Sequence, residues 1–289
     1  MGLCFFVSDL HGRPALYERL FEAVANESPV AVFLGGDLLP HGLVSRSALD
    51  PDHRDFINGF LARGFGRLRA DLGPDYPRVF LILGNDDPRI EEAAVLDGAA
   101  RGLWEYLHGR RVAWDGFSVY GYACTPPSPF RLKDWERYDV SRYVDPGCLS
   151  PEEGWRTVPV AEHELRHATI QRDLEGLVGD DPLDRAIFLF HAPPYDTCLD
   201  RAALDGKSVD HVPLDVHVGS IAIQRFVELR QPRVTLHGHV HESTRLTGSW
   251  RQRVGRTHLF SAAHDGPELA IVRFAPEDPA RATRELIAE

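Results

Sequence analysis

Three histidines fall at alternate positions in Leu236-His237-Gly238-His239-Val240-His241, directly after the apolar run Val234–Leu236. In an extended chain alternate side chains share a face, so these imidazoles would line one side of a strand end. Neutral imidazole is the commonest metal ligand, and Gly238 lets the backbone turn or approach closely. A chain with 14 histidines can also produce such a cluster by chance on an exposed loop. What decides between the two is whether other donors stand upstream in similar settings. They do: Asp9 and His11, Asp37 after a glycine pair, Asn85 after Gly84, and His191 before Ala192-Pro193-Pro194.

The elements that must position these groups are legible in outline. Leu3–Val7, Pro29–Leu34, Arg78–Leu83, Ala186–Phe190 and Val234–Leu236 are short apolar runs that read as buried strands. Each stops at a small or polar residue followed by a metal-competent side chain. In α/β sheets, ligands bind beyond the carboxyl ends of strands. Helical spacing is expected over Pro14–Ala25, Phe56–Leu72, Ile90–Ala100, His163–Leu177 and, with Ser220 as N-cap, Ser220–Leu229. Arg111–Tyr122 alternates around Asp115-Gly116 and reads as a hairpin. Leu259–Ala263 and Leu269–Phe274 read as two final strands paired with each other, followed by a charged tail that is either a solvated helix or frayed. His41 to Asp55 reads as a loop. Residues 124–160 and 195–218 read as lid or loop insertions in a single domain spanning 1–289.

Asp9, His11, Asp37, Asn85, His191, His239 and His241 offer oxygen and imidazole donors. This set suits borderline divalent ions such as Mn²⁺, Fe²⁺, Co²⁺, Ni²⁺ or Zn²⁺. With no thiolate among them, a Cys-rich structural zinc site does not fit. Seven groups are too many for one four-coordinate ion. They suit two ions sharing a carboxylate, held roughly 3.5–4 Å apart, whose chemistry is attack of an activated hydroxide on phosphorus.

The ordered blocks Asp9-Leu10-His11, Gly36-Asp37, Gly84-Asn85-Asp86-Asp87, His191 and Gly238-His239-Val240-His241 resemble the calcineurin-like metallophosphoesterases. His191-Ala192-Pro193-Pro194-Tyr195 with His237 to Glu242 is similar to small prokaryotic phosphoesterases of the Icc type. The resemblance implies a four-layer α/β/β/α sandwich, two mixed sheets flanked by helices. It also implies that Asp9, His11 and His241 hold one ion, that Asn85, His191 and His239 hold the other, and that Asp37 bridges them. Asn85 would give its amide oxygen to an ion and its NH₂ to the phosphate.

The chain departs from that family at Asp86, which stands where a histidine that protonates the leaving oxygen is usual. A carboxylate there is a poorer acid beside two dications and repels phosphate. Asp86 then either turns away, ligates an ion or acts as the acid only with substrate bound. Asp87, which would steady the missing histidine, is left without a task. His41, His217 and His237 are the imidazoles that could substitute, and His237 could instead orient a ligating group from behind. The expected activity is hydrolysis of phosphodiesters, slightly ahead of phosphomonoesters. The alternatives are a small-molecule or protein phosphatase, and a weakly catalytic metal-binding scaffold for partner proteins.

Composition agrees with this class. The chain has 289 residues, 43% hydrophobic and 26% charged, which is ordinary for a globular protein. A net charge of −11 argues against an extended nucleic-acid footprint, which would show clustered basic residues. Its partner is expected to be a small phosphate ester, nucleotides included, with homo-oligomers left open. The four scattered cysteines read as reduced, small buried side chains. No stretch reads as a signal peptide or membrane span, so the cytoplasm is the expected compartment.

Overall fold

The computed structural model describes residues 2–40 and 55–288, so the His41 alternative lies outside the described residues. In chain order the first half runs β1 (Cys4–Val7), α1 (Pro14–Glu27), β2 (Ala31–Gly35), α2 (Ala62–Leu72), β3 (Arg78–Ile82), α3 (Glu92–Ala100), β4 (Glu105–Tyr106), β5 (Arg110–Trp114) and β6 (Phe117–Tyr122). Then come α4 (Glu162–His167), α5 (Ile170–Val178), β7 (Ala186–Phe190), β8 (Ser208–Val209), β9 (Val212–Pro213), α6 (Ile221–Arg230) and β10 (Val234–His237). The chain closes with α7 (Ser243–Thr247), β11 (Arg251–Val254), β12 (Thr257–Ser261), β13 (Leu269–Phe274) and β14 (Thr283–Ile287).

These strands make two mixed six-stranded sheets, in the orders β14-β13-β1-β2-β3-β4 and β11-β12-β10-β7-β6-β5. Both faces of the central strands are covered, which is why β1, β2 and β7 are continuously apolar rather than alternating. Aromatic rings join the sheets. Trp114 of one sheet packs edge-on against Phe33 and Phe80 of the other, with ring centres 6.1 and 5.7 Å apart. Phe260 meets Phe274 across the same interface at 5.8 Å. Burying one such phenylalanine ring contributes about 1.5–3 kcal/mol. Outside the sheets, α1 and α2 meet through Phe21 and Phe65, and α6 sets Phe226 against Phe188 of β7. Helix, sheet, sheet and helix are the four layers expected.

Several local expectations need correction. The last two apolar runs do not pair: β12 joins β10 and β11 in one sheet, whereas β13 pairs with β1 and β14 in the other. The charged tail is strand β14 rather than a helix, paired with β13 at a sheet edge. The helix expected over His163–Leu177 is broken at Ala168-Thr169. There the backbone is extended and Thr169 caps α5 by accepting from the Arg172 N–H. The Phe56–Leu72 helix opens with a wider π-type turn over Phe56–Leu61, capped by Asp55. The hairpin read over Arg111–Tyr122 forms, from Arg110 to Tyr122, with Asp115 and Gly116 both at positive φ, as a two-residue hairpin turn of this hand requires.

The first of the segments expected as insertions is built around buried charges. In 124–160, Lys133 and Glu136 are both fully buried and pair at 2.5 Å. Lys133 Nζ also donates to the Ser128 carbonyl, and Glu136 accepts from the Ser128 N–H and hydroxyl. The remaining polar atoms of the pair are thus satisfied, the condition for tolerating a buried pair. Trp135 Nε1 donates to the Asp87 carbonyl, and Asp134 accepts from the Arg89 N–H. Asp139 accepts from the Ser220 hydroxyl and from the Ile221 and Ala222 N–H groups at the start of α6. Segment 195–218 is irregular apart from the β8–β9 ribbon. Among the described residues, no helix is long and apolar enough to cross a membrane.

Candidate metal centre

Five parallel strands from the two sheets, β1, β2, β3, β7 and β10, end at one edge of the sandwich. Immediately beyond them stand Asp9, Asp37, Asn85, His191 and the His239–His241 turn. Two groups of donor atoms result: Asp9, His11, Asp37 and His241, and Asp37, His191 and His239, with all atoms of each group within 4.8 Å of one another. Asp37 belongs to both. Asn85 completes the second group, its Oδ1 lying 2.9 Å from His191 Nε2.

The backbone here is forced. Asp9, His11, Asp37 and His239 all adopt positive φ, at 59°, 45°, 51° and 73°. Non-glycine residues in that region cost on the order of 1–3 kcal/mol each and cluster where function requires it. Crowding sets the glycines: a Cβ at Gly84 would collide with the Asp37 carboxylate and backbone, and one at Gly238 with Ser8 and the Asp9 carboxylate. His191 is oriented by donating Nδ1–H to the Gly35 carbonyl at 2.8 Å, which turns Nε2 toward Asn85 and Asp37. Asp9 Oδ1 accepts from the His239 N–H and lies 3.2 Å from His241 Nε2.

Asp9, Asp37, Asn85 and His191 are buried. Burial by itself raises the Asp9 carboxyl, but the hydrogen bond and charge of His241 outweigh it, leaving Asp9 at about 2. Asp37 likewise lies below the usual carboxylate range, because His191 more than offsets burial. Reciprocally, burial lowers His191 and His241, yet Asp37 and Asp9 carry them up to about 10 and about 9. His239 is pushed down to about 4 by burial and by His191. The cluster thus holds anionic carboxylates against neighbours that compete to be their counter-charge.

Those donors fit metal ions. Asp9 Oδ2 is buried with no hydrogen-bond partner among the described residues, the orphaned anionic oxygen that a bound cation would satisfy. His11 Nε2 and His241 Nε2 lie 3.2 Å apart, two ring nitrogens converging on one point. The arrangement is all oxygen and imidazole, suited to borderline divalent cations.

His237 lies outside both donor groups. Its ring is fully buried, stacked on Phe190, with Nδ1 at 2.9 Å from the Ala192 carbonyl and Nε2 at 2.8 Å from the Thr235 hydroxyl. It braces β10 from inside. Asp86 lies at the rim, outside both donor groups. Its N–H donates to Asp37 Oδ1, its carboxylate accepts from the Asn85 amide at 3.2 Å, and it stands 3.9 Å from His11 Nδ1.

Asp87 has the task that could not be read in sequence. Fully buried, it accepts from the Leu38, Leu39 and Gly84 N–H groups at 3.1, 2.7 and 2.8 Å, clasping the Asp37 loop to the Asn85 loop. Burial and the nearby Asp37 push its carboxyl up to about 8 against those three donors. Asp200 carries no signal in the sequence, where it is one more acid in a polar stretch. It is fully buried beside His217.

Donor groups that could hold metal ions, set at the carboxyl ends of two facing sheets, fit the class of metal-dependent phosphoric ester hydrolases. The calcineurin-like phosphoesterase family model matches residues 4–243, and the chain belongs to that family. No curated protein sequence matches it. Among solved structures, one crystal structure is similar with a TM-score of 0.62 at 17% identity, covering 100% of both chains. The crystal structure of TT1561 of Thermus thermophilus is similar with a TM-score of 0.54 at 16% identity, covering 99% of both chains. At those identities the likeness concerns the fold.

Proposed function

We propose that the cluster holds two divalent ions and that the chain hydrolyses small phosphodiesters in preference to monoesters. The observation that carries this reading is the membership of Asp37 in both donor groups. Asp9, His11 and His241 would hold one ion, and Asn85, His191 and His239 the other. Bound there, such ions would polarise phosphoryl oxygens and lower the pKa of a water molecule.

The protein's own groups do the rest. Gly35, through its carbonyl, fixes the tautomer of His191 so that Nε2 faces the centre. Asn85 presents Oδ1 inward and keeps its NH₂ at the Asp86 side, where it can donate to a phosphoryl oxygen. The Asp86 carboxylate at the rim disfavours a dianionic monoester more than a monoanionic diester, since repulsion scales with charge. The net charge of −11 acts in the same direction.

Protein reconstituted separately with Mn²⁺, Fe²⁺, Co²⁺, Ni²⁺ and Zn²⁺ should turn over bis(4-nitrophenyl) phosphate faster than 4-nitrophenyl phosphate. Monoester turnover in excess would reverse the substrate preference. No turnover of either with any ion would leave the scaffold reading in its place.

A further inference from the structure

Beyond the metal cluster, one imidazole is held as catalytic imidazoles are held. His217 Nδ1 lies 2.8 Å from Asp200, whose carboxylate is fully buried while the imidazole is 26% exposed. Asp200 also accepts from the backbone N–H groups of Asp196, Thr197 and Gly219, so it is fixed on every side. A carboxylate bonded to Nδ1–H sets the tautomer and orientation of the ring. The other nitrogen, Nε2, makes no hydrogen bond among the described residues. Its nearest charged group is Asp196, 3.6 Å away on a side chain that is 72% exposed. Tyr195 flanks the ring at 6.0 Å between centres and is itself tied to Asp215.

The loop carrying this pair is anchored at both ends of the metal cluster. At one end, Tyr195 N–H donates to the Ser220 carbonyl and Ser220 N–H to that of Pro193, two residues beyond His191. At the other, Ala203 N–H donates to Glu242, the residue after His241. Segment 195–218 is therefore tied to the chain just beyond His191 and just after His241. Asp200 thus braces the loop backbone through three N–H groups and with the same carboxylate aligns one partly exposed imidazole.

We propose that His217, positioned by Asp200, is the group that protonates the leaving oxygen, in place of a histidine at position 86. The proposal rests on the phosphoesterase reading. As the phosphorus–oxygen bond to the leaving group breaks, its electron pair stays on that oxygen and takes the Nε2 proton. Water supplies the oxygen that joins phosphorus, and the proton it releases returns to His217 through solvent. His217 is then a catalytic residue and Asp200 a positioning residue.

The test compares wild type, His217→Gln and Asp200→Asn at equal metal content on two diesters. Bis(4-nitrophenyl) phosphate releases a good leaving group, and diphenyl phosphate a poor one. General acid catalysis is worth about 10²–10⁴-fold, so His217→Gln should lose at least about 100-fold in kcat on the diphenyl ester. On the nitrophenyl ester it should lose only a few-fold, with KM little changed on either. Asp200→Asn should show the same leaving-group dependence. In wild type, inorganic phosphate should shift the His217 ring resonances by NMR. Equal losses of His217→Gln on both esters, or none on either, overturn the assignment even if Asp200→Asn disturbs the loop. Absence of wild-type turnover on both esters instead overturns the phosphoesterase reading beneath it.

Discussion

At the scale of single residues, the candidate centre is built by carboxylates that each do two things. Asp37 takes part in both donor groups while its Oδ1 also receives the Asp86 N–H. Asp9 receives the His239 N–H on one oxygen and leaves the other orphaned. His239 and His241 sit two residues apart yet fall into different groups, because positive φ at His239 swings the chain between them. The two histidines should therefore be separable. His239→Ala is expected to lose the ion shared with His191 and Asn85, and His241→Ala the one shared with Asp9 and His11. Elemental analysis after equilibration with Mn²⁺ or Zn²⁺ should give about one ion per chain in each variant against two in wild type. Two ions retained in both variants would refute the division.

At the scale of elements, the irregular insertion 124–160 is specified by buried polar groups, not by periodicity. His108, just after β4, belongs to the same interface. Its ring packs edge-on against Trp135 at 4.9 Å, and its Nδ1 accepts from the Ala123 N–H. Burial, with smaller contributions from Arg137 and Arg89, pushes it down to about 3. Its ordinary value is near 6.5. A histidine whose folded value is depressed supports the fold above the unfolded value and loses that support as pH falls toward the folded one. Stability should thus decline below about pH 6.5, by at most about 1.4 kcal/mol per pH unit from this group. His108→Asn keeps an acceptor for the Ala123 N–H but does not titrate there. Urea melts of this variant at pH 7 and pH 5 should show a smaller difference than wild type; an unchanged difference would clear His108 of the effect.

At the scale of the whole molecule, the centre joins the two sheets. Three of its strand ends come from one and two from the other, and His191 of the second sheet donates to the Gly35 carbonyl of the first. Ions bound there would tie both sheets and exist only in the folded state. Binding of that kind stabilises by about 2.7 kcal/mol at a free concentration of about 100 times Kd. For a chain of this size that is on the order of 4–5 °C in Tm. Adding Mn²⁺ or Zn²⁺ to chelator-treated protein should raise Tm by that much, and renewed chelation should reverse it. No shift with any of the five candidate ions would argue against a built metal centre.

The sequence by itself determined the strands and what ends them. Buried runs such as Cys4–Val7 and Ala186–Phe190 are apolar throughout, and the donor residues follow them in short, readable blocks. The helix cap Ser220 and the Asp115-Gly116 turn are local chemistry, so a local reading reaches them. Which sheet β12 and β13 enter is not local: both bury apolar side chains, and their partner strands are distant in sequence. The same holds for charges. Asp87, Asp200 and Lys133 look like surface residues in sequence, since a charge is buried only where distant groups supply its hydrogen bonds. Tertiary structure alone sent His237 into the core and gave His217 a buried carboxylate, because both outcomes depend on partners brought in by the fold.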